Sequence, residues 1–129
     1  MRVVADASAV VAVVLQEPGF ERLAARLDGA TVCAPDLLKF ELSNAAVTKA
    51  RREPARAAQI FAALDKALDP RAGIQWHAVN VVDVALLAHL TGLTAYDAAY
   101  LWLAGWLEAD LVTLDTRLIG AAGLDSDRG

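Results

Sequence analysis

Residues 2–6 read Arg2-Val3-Val4-Ala5-Asp6, a short apolar run that ends in an acid, and residues 111–115 repeat the pattern as Leu111-Val112-Thr113-Leu114-Asp115. Each run has the length and composition of a short β-strand. Between them, short apolar runs alternate with longer stretches of helical periodicity, which predicts an α/β fold with a parallel sheet. Because the carboxyl ends of parallel strands share one edge, we expect Asp6 and Asp115 to lie along that edge.

The chain is predicted to form a single domain over residues 1–129, with a short parallel sheet of about four to five strands covered by helices on both faces. The predicted strands are 2–6, 31–34, 74–78 and 111–114. The predicted helices are 7–16, 20–27, 35–52, 53–68, 80–91, 95–108 and 116–122. Pro35 is placed in the first turn of the third helix, where proline is well tolerated. The polar tail from about 124 is expected to fray.

Two further acids are predicted to reach the crevice at the strand ends. Asp97 opens the helix before the last strand, and Glu41 lies in the first turns of its long helix. Four carboxylates in one crevice repel one another, so they have to bind cations, recruit basic partners or stay partly protonated. Hard divalent ions such as Mg²⁺ or Mn²⁺ suit these oxygen ligands. Two such ions ~4 Å apart can activate water and stabilise the leaving oxygen of a phosphodiester.

Each acid also has an ordinary structural interpretation. Asp6 and Asp115 each precede a helical pattern and fit helix N-caps, worth ~1 kcal/mol each. Thr94 and Asp97 have the spacing of a capping box, in which Asp97 simply completes the cap. Glu41 fits a solvated helix position. Spacing and periodicity alone therefore do not establish a nuclease.

The overall composition is that of a folded protein, with 57% hydrophobic and 22% charged residues. A single cysteine, Cys33, rules out an internal disulfide framework and a cysteine-based zinc site. The net charge of −4 disfavours passive binding to nucleic acid, although four acids neutralised by metal would account for all of it. We expect a cytoplasmic protein, since no leader pattern and no apolar stretch of ~20 residues is evident.

Four sequence blocks around the acids have a recognisable residue pattern, order and spacing. They are Val3–Ser8 (VVADAS), Pro35–Asn44 (PDLLKFELSN), Leu93–Leu101 (LTAYDAAYL) and Leu111–Leu118 (LVTLDTRL). Together they resemble the PIN-domain ribonucleases, specifically the VapC toxins of bacterial and archaeal toxin–antitoxin pairs, over essentially the whole chain. The resemblance implies that Asp6 and Asp97 are the principal metal ligands. It also implies that Glu41 and Asp115 complete the acidic pocket as catalytic residues.

The resemblance suggests supporting residues as well. Ser8 is placed to orient Asp6 or a bound phosphate, and Asn44, one turn after Glu41, is placed to act similarly. Thr113 is a weaker candidate of the same kind. For Ser8 a packing or capping role is equally open, and Asn44 can be a solvated residue.

Basic residues cluster on one stretch and could steer RNA towards Glu41. The candidates for substrate binding are Lys39, Arg51 and Arg52, accompanied by Lys49 and Arg56. The alternative is an ordinary solvated face, which is the more common role of such a run.

The resemblance implies a metal-dependent endoribonuclease that uses one or two Mg²⁺ or Mn²⁺ ions and acts as the toxin of a toxin–antitoxin pair. A cognate VapB-like antitoxin is expected to block the acidic pocket, and apolar helices near the N-terminus, including Phe20 and Leu23, are candidate docking surfaces. A homodimer is expected by analogy. Trp102 and Trp106, one turn apart on a very apolar helix, are expected in the core, with a dimer surface as the alternative.

Two other functions are open. One is a non-catalytic PIN-like module that binds RNA or a protein. The other is a different metal-dependent phosphate hydrolase, such as an aspartyl-phosphate phosphatase. The second is weakened because Ser8, and not a second aspartate, follows Asp6 at the expected spacing.

Overall fold

A computed structural model describes residues 1–123, in which strands and helices alternate along the chain. The strands are β1 (Arg2–Ala5), β2 (Thr31–Pro35), β3 (Gln75–His77) and β4 (Asp110–Val112). The helices are α1 (Ala7–Val14), α2 (Phe20–Leu27), α3 (Leu37–Arg52), α4 (Ala57–Leu68), α5 (Val81–Thr91), α6 (Ala95–Leu107) and α7 (Thr116–Ala121). Short 3₁₀ turns at Pro54–Arg56 and Pro70–Ala72 flank α4.

The four strands form one parallel sheet in the order β3-β2-β1-β4. β1 lies inside the sheet, with Val4 opposite Cys33 of β2 on one side and Leu111 of β4 on the other. The chain moves from β1 outward through β2 and β3 and then returns to the other side of β1 with β4. The strand order therefore reverses at β1. In sheets of this type, ligands bind beyond the carboxyl ends of the strands at such a reversal.

The core is built around β1 and holds the ends of several elements in place. Val4 and Ala5 of β1 have no exposed surface, and Leu42 of α3 and Leu103 of α6 are buried as fully. Helix α6 packs on β1 and β2, and α3 packs on β2. Full burial of each leucine side chain contributes about 1.5–3 kcal/mol. This packing fixes the starts of α3 and α6 relative to the end of β1.

The predicted α/β fold is confirmed, although several boundaries differ by one to four residues, and two of these differences lie near the candidate site. Pro35 is the last residue of β2, paired with His77, and does not open α3. Proline is accepted there because the pairing of β2 with β1 has ended at Cys33, so the missing N–H leaves no ladder bond unmade. β4 ends at Val112, so Asp115 follows the strand at a distance of three residues and not directly. The fraying predicted from about 124 falls outside the described residues.

Helix α5 and the end of α6 carry an exposed apolar surface. Val82, Leu86 and Leu90 of α5 are all more than half exposed, and Trp106 is 72% exposed. Trp106 stacks on Trp102 with 5.4 Å between ring centroids. Because Trp106 is largely exposed, the prediction that both tryptophans lie in the core is wrong for Trp106. On so apolar a helix, hydropathy does not distinguish inward from outward positions. Within the described residues, no single helix is long and apolar enough to cross a membrane. Helices α5 and α6 together have the required length and composition, but the pair is bent by 108°.

Candidate metal centre

Asp6 lies where β1 ends and α1 begins, at the carboxyl edge of the sheet. Its Oδ1 accepts a hydrogen bond from the N–H of Ala9 at 3.1 Å, so Asp6 is the N-cap of α1. Two hydroxyls bind the same carboxylate: Ser8 Oγ donates to Oδ1 at 2.7 Å, and Thr113 Oγ1 donates to Oδ2 at 2.6 Å. The residue is only 3% exposed. A buried carboxylate with three donors has more support than a helix cap requires.

The same two hydroxyls connect the turn after β1 to the turn after β4. Ser8 Oγ accepts a hydrogen bond from the N–H of Leu114 at 2.9 Å, and Thr113 Oγ1 accepts one from the N–H of Asp115 at 3.0 Å. Each hydroxyl thus bridges Asp6 and the backbone that leads to α7. Asp115 then caps α7 with its own carboxylate. The position of Asp115 relative to Asp6 is therefore fixed through the backbone.

Glu41 lies in the second turn of α3 and lines a shallow groove of about 300 Å³ together with Ser8 and Asn44. Its Oε1 accepts a hydrogen bond from the hydroxyl of Tyr100, a buried residue of α6, at 2.5 Å. Glu41 itself is half-buried, whereas Asn44 is exposed. The interpretation of Glu41 as a freely solvated helix residue is therefore wrong.

Asp97 occupies the first turn of α6. Thr94 caps this helix, with its Oγ1 accepting a hydrogen bond from the N–H of Asp97 at 3.1 Å. Among the hydrogen bonds of residues 1–123, none runs from the backbone N–H of Thr94 back to the Asp97 carboxylate, so the capping box is only half formed. The carboxylate of Asp97 is consequently not engaged by the cap. It lies one turn before Tyr100, on the same side of α6.

Burial controls the protonation of Asp6. Loss of solvent raises the pKa of this carboxyl above its ordinary value, while the hydrogen bonds from Thr113, Ser8 and the Ala9 backbone lower it. The negative charge of Asp115 raises the pKa further. The net direction is upward, so the ionised form of Asp6 is held in the folded protein at an energetic cost.

Glu41 is subject to the same effects. Burial raises the pKa of Glu41, the hydrogen bond from Tyr100 lowers it, and the charges of Asp97 and Asp6 raise it. The pKa of the Tyr100 hydroxyl is raised by burial and by its contact with Glu41, so this group stays protonated and acts as a donor. The negative charges of Asp97 and Asp6 therefore act on Glu41, and this repulsion favours a cation among the acids.

The chemistry of these side chains fits a hard divalent cation. Carboxylate oxygens are the ligands that Mg²⁺ and Mn²⁺ prefer, and Asp6 Oδ2 and Glu41 Oε1 each accept a single described hydrogen bond. Within residues 1–123, no three His, Cys, Asp or Glu side chains stand close enough to hold one ion as they are. Binding of one ion by three of them therefore requires these side chains to rearrange. The residues that would hold the ion are Asp6, Glu41, Asp97 and Asp115.

Comparison with known proteins identifies the family. The PIN domain profile matches residues 3–124, nearly the whole chain. The chain belongs to the PIN domain family. The crystal structure of PAE2754 from Pyrobaculum aerophilum is similar, with 26% sequence identity and a TM-score of 0.74 over 97% of this chain and 91% of that chain. A comparison with curated proteins finds no match.

PIN domains are typically metal-dependent nucleases, so the family and the general class of activity predicted from the sequence are supported. The similar structure supports the same fold. Neither match names a toxin, a metal or a partner. The VapC assignment, the Mg²⁺ or Mn²⁺ requirement and the roles of individual residues therefore stay predictions.

The basic residues predicted to bind RNA are not gathered at the acids of this PIN domain. Lys39 lies about 200° around α3 from Glu41, and its Nζ sits 4.8 Å from the centroid of the Trp76 ring. Arg51 and Arg52 are exposed at the end of α3, about 15 Å along the helix axis from Glu41. Both arginines are therefore distant from the acids, and a contact of either with RNA stays a prediction.

The other members of the basic run are engaged in ion pairs. Lys49 Nζ lies 3.4 Å from carboxylate oxygens of both Glu17 and Glu53. Arg56 pairs with Glu53 at 2.8 Å. The interpretation as an ordinary charged surface therefore describes Lys49 and Arg56.

Tyr100 is the residue of this site that the sequence did not reveal. It falls within the block Leu93–Leu101, three residues after Asp97, and this spacing places both on one side of a helix. The spacing is the signal that could have identified it. Its acceptor, however, lies on α3, 59 residues away in the chain, and only the folded structure shows that pairing.

Proposed function

We propose that this PIN domain is an endoribonuclease that hydrolyses RNA phosphodiester bonds with one or two Mg²⁺ or Mn²⁺ ions. The carboxylate of Asp6 carries the proposal, because it is buried, held by three donors, and close to the charge of Asp115. A helix cap requires one donor and is weakened by neighbouring negative charge. An ion site requires both a fixed carboxylate and further acids around it.

When bound, a divalent ion supplies an activated water and stabilises the negative charge that develops on the phosphate. The protein's part is to hold the carboxylates in place. Ser8 and Thr113 fix Asp6, and Tyr100 holds Glu41. The groove of about 300 Å³ lined by Ser8 and Glu41 provides space for a phosphate beside these acids. No covalent attachment of RNA to the protein is needed.

We further propose that the enzyme acts in the cytoplasm as the toxin of a toxin–antitoxin pair, inhibited by a VapB-like antitoxin. The resemblance of the four sequence blocks supports this proposal. The predicted docking surface needs correction, because Phe20 is half-buried and Leu23 belongs to the core, only 9% exposed. Leu23 packs inward from α2 and leaves little surface for a partner, whereas Phe20 keeps part of its surface exposed. Leu23 and Leu27 of α2 pack against the main hydrophobic core.

Homodimerisation is also proposed. The exposed apolar residues Val82, Leu86, Leu90 and Trp106 support it, since large exposed apolar patches commonly mark protein–protein contacts. Light scattering on the purified protein tests this directly. A dimer gives twice the 13.6 kDa of the chain, and a Leu86→Glu substitution is expected to shift it to the monomer.

The nuclease is tested by incubating antitoxin-free protein with total RNA in Mg²⁺ or Mn²⁺, with EDTA as a control, beside an Asp97→Asn variant. Asp83→Asn is the matched control. Asp83 occupies the same position in α5 that Asp97 has in α6, and its N–H is capped by Asn80 at the same 3.1 Å as Asp97 by Thr94. We expect metal-dependent cutting into discrete fragments that is lost in Asp97→Asn and kept in Asp83→Asn.

Other outcomes separate the alternatives. Cutting that survives EDTA, or that survives Asp97→Asn, contradicts the assignment of the site. Measurable metal binding without cleavage of any RNA pool favours a non-catalytic binding module. A phosphoryl group trapped on Asp6 favours the phosphate hydrolase.

A further inference from the structure

Within residues 1–123, the hydroxyl of Tyr100 makes the one described hydrogen bond between α3, which carries Glu41, and α6, which carries Asp97. The residue is 1% exposed, and its ring belongs to the main hydrophobic core. Its hydroxyl donates to Oε1 of Glu41, a residue that lines the groove, at 2.5 Å. The ring is thus immobilised by packing, and the hydroxyl is a fixed point beside the acids.

Glu41 depends on this contact more than Asp6 depends on any one of its donors. Asp6 is held by three donors from Ser8, Ala9 and Thr113. In residues 1–123, Tyr100 is the one described hydrogen-bond donor to the Glu41 carboxylate. A glutamate side chain loses rotamer entropy when it is fixed in one position. Without the hydroxyl, nothing described offsets that cost before a cation binds.

The contact also has a defined chemical consequence. It occupies Oε1 of Glu41 and leaves Oε2 available to a cation. Tyr100 lies one helical turn after Asp97, so the same bond ties the helix of Asp97 to the side chain of Glu41. Groups that orient a metal ligand in this way typically change metal affinity 10–100-fold when they are removed.

We propose that Tyr100 is a positioning residue, whose hydroxyl holds Glu41 with one carboxylate oxygen directed to a divalent cation shared with Asp97. The inference rests on the metal-binding part of the proposed function. Tyr100 acts through Glu41 and touches neither the cation nor RNA.

The test compares Tyr100→Phe with Tyr96→Phe by direct calorimetric titration with Mn²⁺. Tyr96 is the matched control because it lies on the same helix, next to Asp97, but is 63% exposed. We expect Tyr100→Phe to weaken Mn²⁺ binding about 10-fold and Tyr96→Phe to leave it within about 2-fold. In the Glu41→Gln background, Tyr100→Phe is expected to add no further loss, which a purely structural role does not predict.

A second measurement leaves Tyr100 in place. The chain contains two tyrosines, so 3-fluorotyrosine incorporated into Tyr96→Phe gives a single ¹⁹F signal from position 100. We expect this signal to shift when Mg²⁺ is added and to stay unchanged when Glu41→Gln is also present. Unaltered Mn²⁺ affinity in Tyr100→Phe overturns the inference. A ¹⁹F signal whose chemical shift does not change on addition of Mg²⁺ overturns it as well.

The inference and the proposed function fail in different ways. Wild-type protein whose Mn²⁺ affinity depends on Tyr100 and Glu41 but that cleaves no RNA refutes the nuclease and leaves the positioning role of Tyr100 intact. Wild-type protein that cleaves RNA while Tyr100→Phe binds Mn²⁺ normally refutes the role of Tyr100 alone. Wild-type protein that binds no divalent ion overturns both.

Discussion

Thr113→Val tests whether the two strand-end turns are joined through Asp6. Valine keeps the branched shape of threonine and removes only the hydroxyl. That hydroxyl donates to Asp6 Oδ2 at 2.6 Å and accepts from the N–H of Asp115 at 3.0 Å. Thr113 is 7% exposed, so water cannot easily replace either contact. The substitution therefore removes a bridge and leaves a partner unpaired at each end.

The expected loss of stability follows from these two contacts. A hydrogen bond to a charged acceptor contributes about 1.5–3 kcal/mol. An N–H left without an acceptor costs about 1 kcal/mol where, as at the half-buried Asp115, water has partial access. We expect Thr113→Val to lower the free energy of unfolding of the metal-free protein by about 2.5–4 kcal/mol at pH 7. Thr48→Val, on the exposed face of α3, is the matched control and is expected to change it by less than about 0.5 kcal/mol.

The loss also depends on pH with a defined sign. The Thr113 hydroxyl stabilises ionised Asp6 and so lowers the pKa of that carboxyl in the folded state. Its contribution is present when Asp6 is charged and fades as pH falls through the pKa of Asp6, which lies above its ordinary 3.8. The measurement is urea unfolding in EDTA, followed by the fluorescence of the three tryptophans, at pH 7 and at about pH 4. A cost at pH 7 below about 0.5 kcal/mol, or one that does not shrink towards pH 4, refutes the bridge.

Three further outcomes are expected. Mn²⁺ at 100 times its dissociation constant adds about 2.7 kcal/mol to the free energy of unfolding, as measured in urea against an EDTA sample, and Asp6→Asn abolishes the gain. In EDTA, the raised pKa of Asp6 means that its contribution to stability is lost as pH rises through that pKa. Asp6→Asn should therefore flatten the fall in unfolding free energy between about pH 4 and pH 7, and a parallel fall in both proteins contradicts this. Leu103→Ala, at a buried core position, costs about 2–5 kcal/mol. Trp106→Ala removes an exposed stacking contact with Trp102 and is expected to cost about 0.5–1.5 kcal/mol. If urea unfolding shows equal losses for Leu103→Ala and Trp106→Ala, the assignment of Trp106 to the surface is contradicted.

The amino-acid sequence by itself predicted the fold, which is confirmed, and it named the candidate acids. Strand and helix periodicities are local, and they predicted the order of elements and most of their bounds to within a few residues. Pro35 was assigned to the wrong element, because proline is accepted both in the first turn of a helix and at the end of a strand. Asp6 directly follows β1, and Asp97 lies in the first turn of the helix that leads into β4. In a parallel α/β sheet, strand ends and the starts of such helices lie on the same edge. Their approach to one edge is therefore a consequence of topology that the sequence pattern already contains.

The resemblance suggested Ser8 and Thr113 as supporting residues, but only the tertiary structure showed which hydrogen bonds hold the acids and which side chains face outward. The donor to Glu41 is Tyr100, and one donor to Asp6 is Thr113, 107 residues away in the chain. Such pairs form where separate elements pack, and no local periodicity specifies them. The exposure of Trp106 was decided in the same way, because on a uniformly apolar helix the neighbours that cover each face belong to other parts of the chain. Periodicity is a property of one segment, whereas burial and hydrogen bonding across the site are properties of several segments brought together.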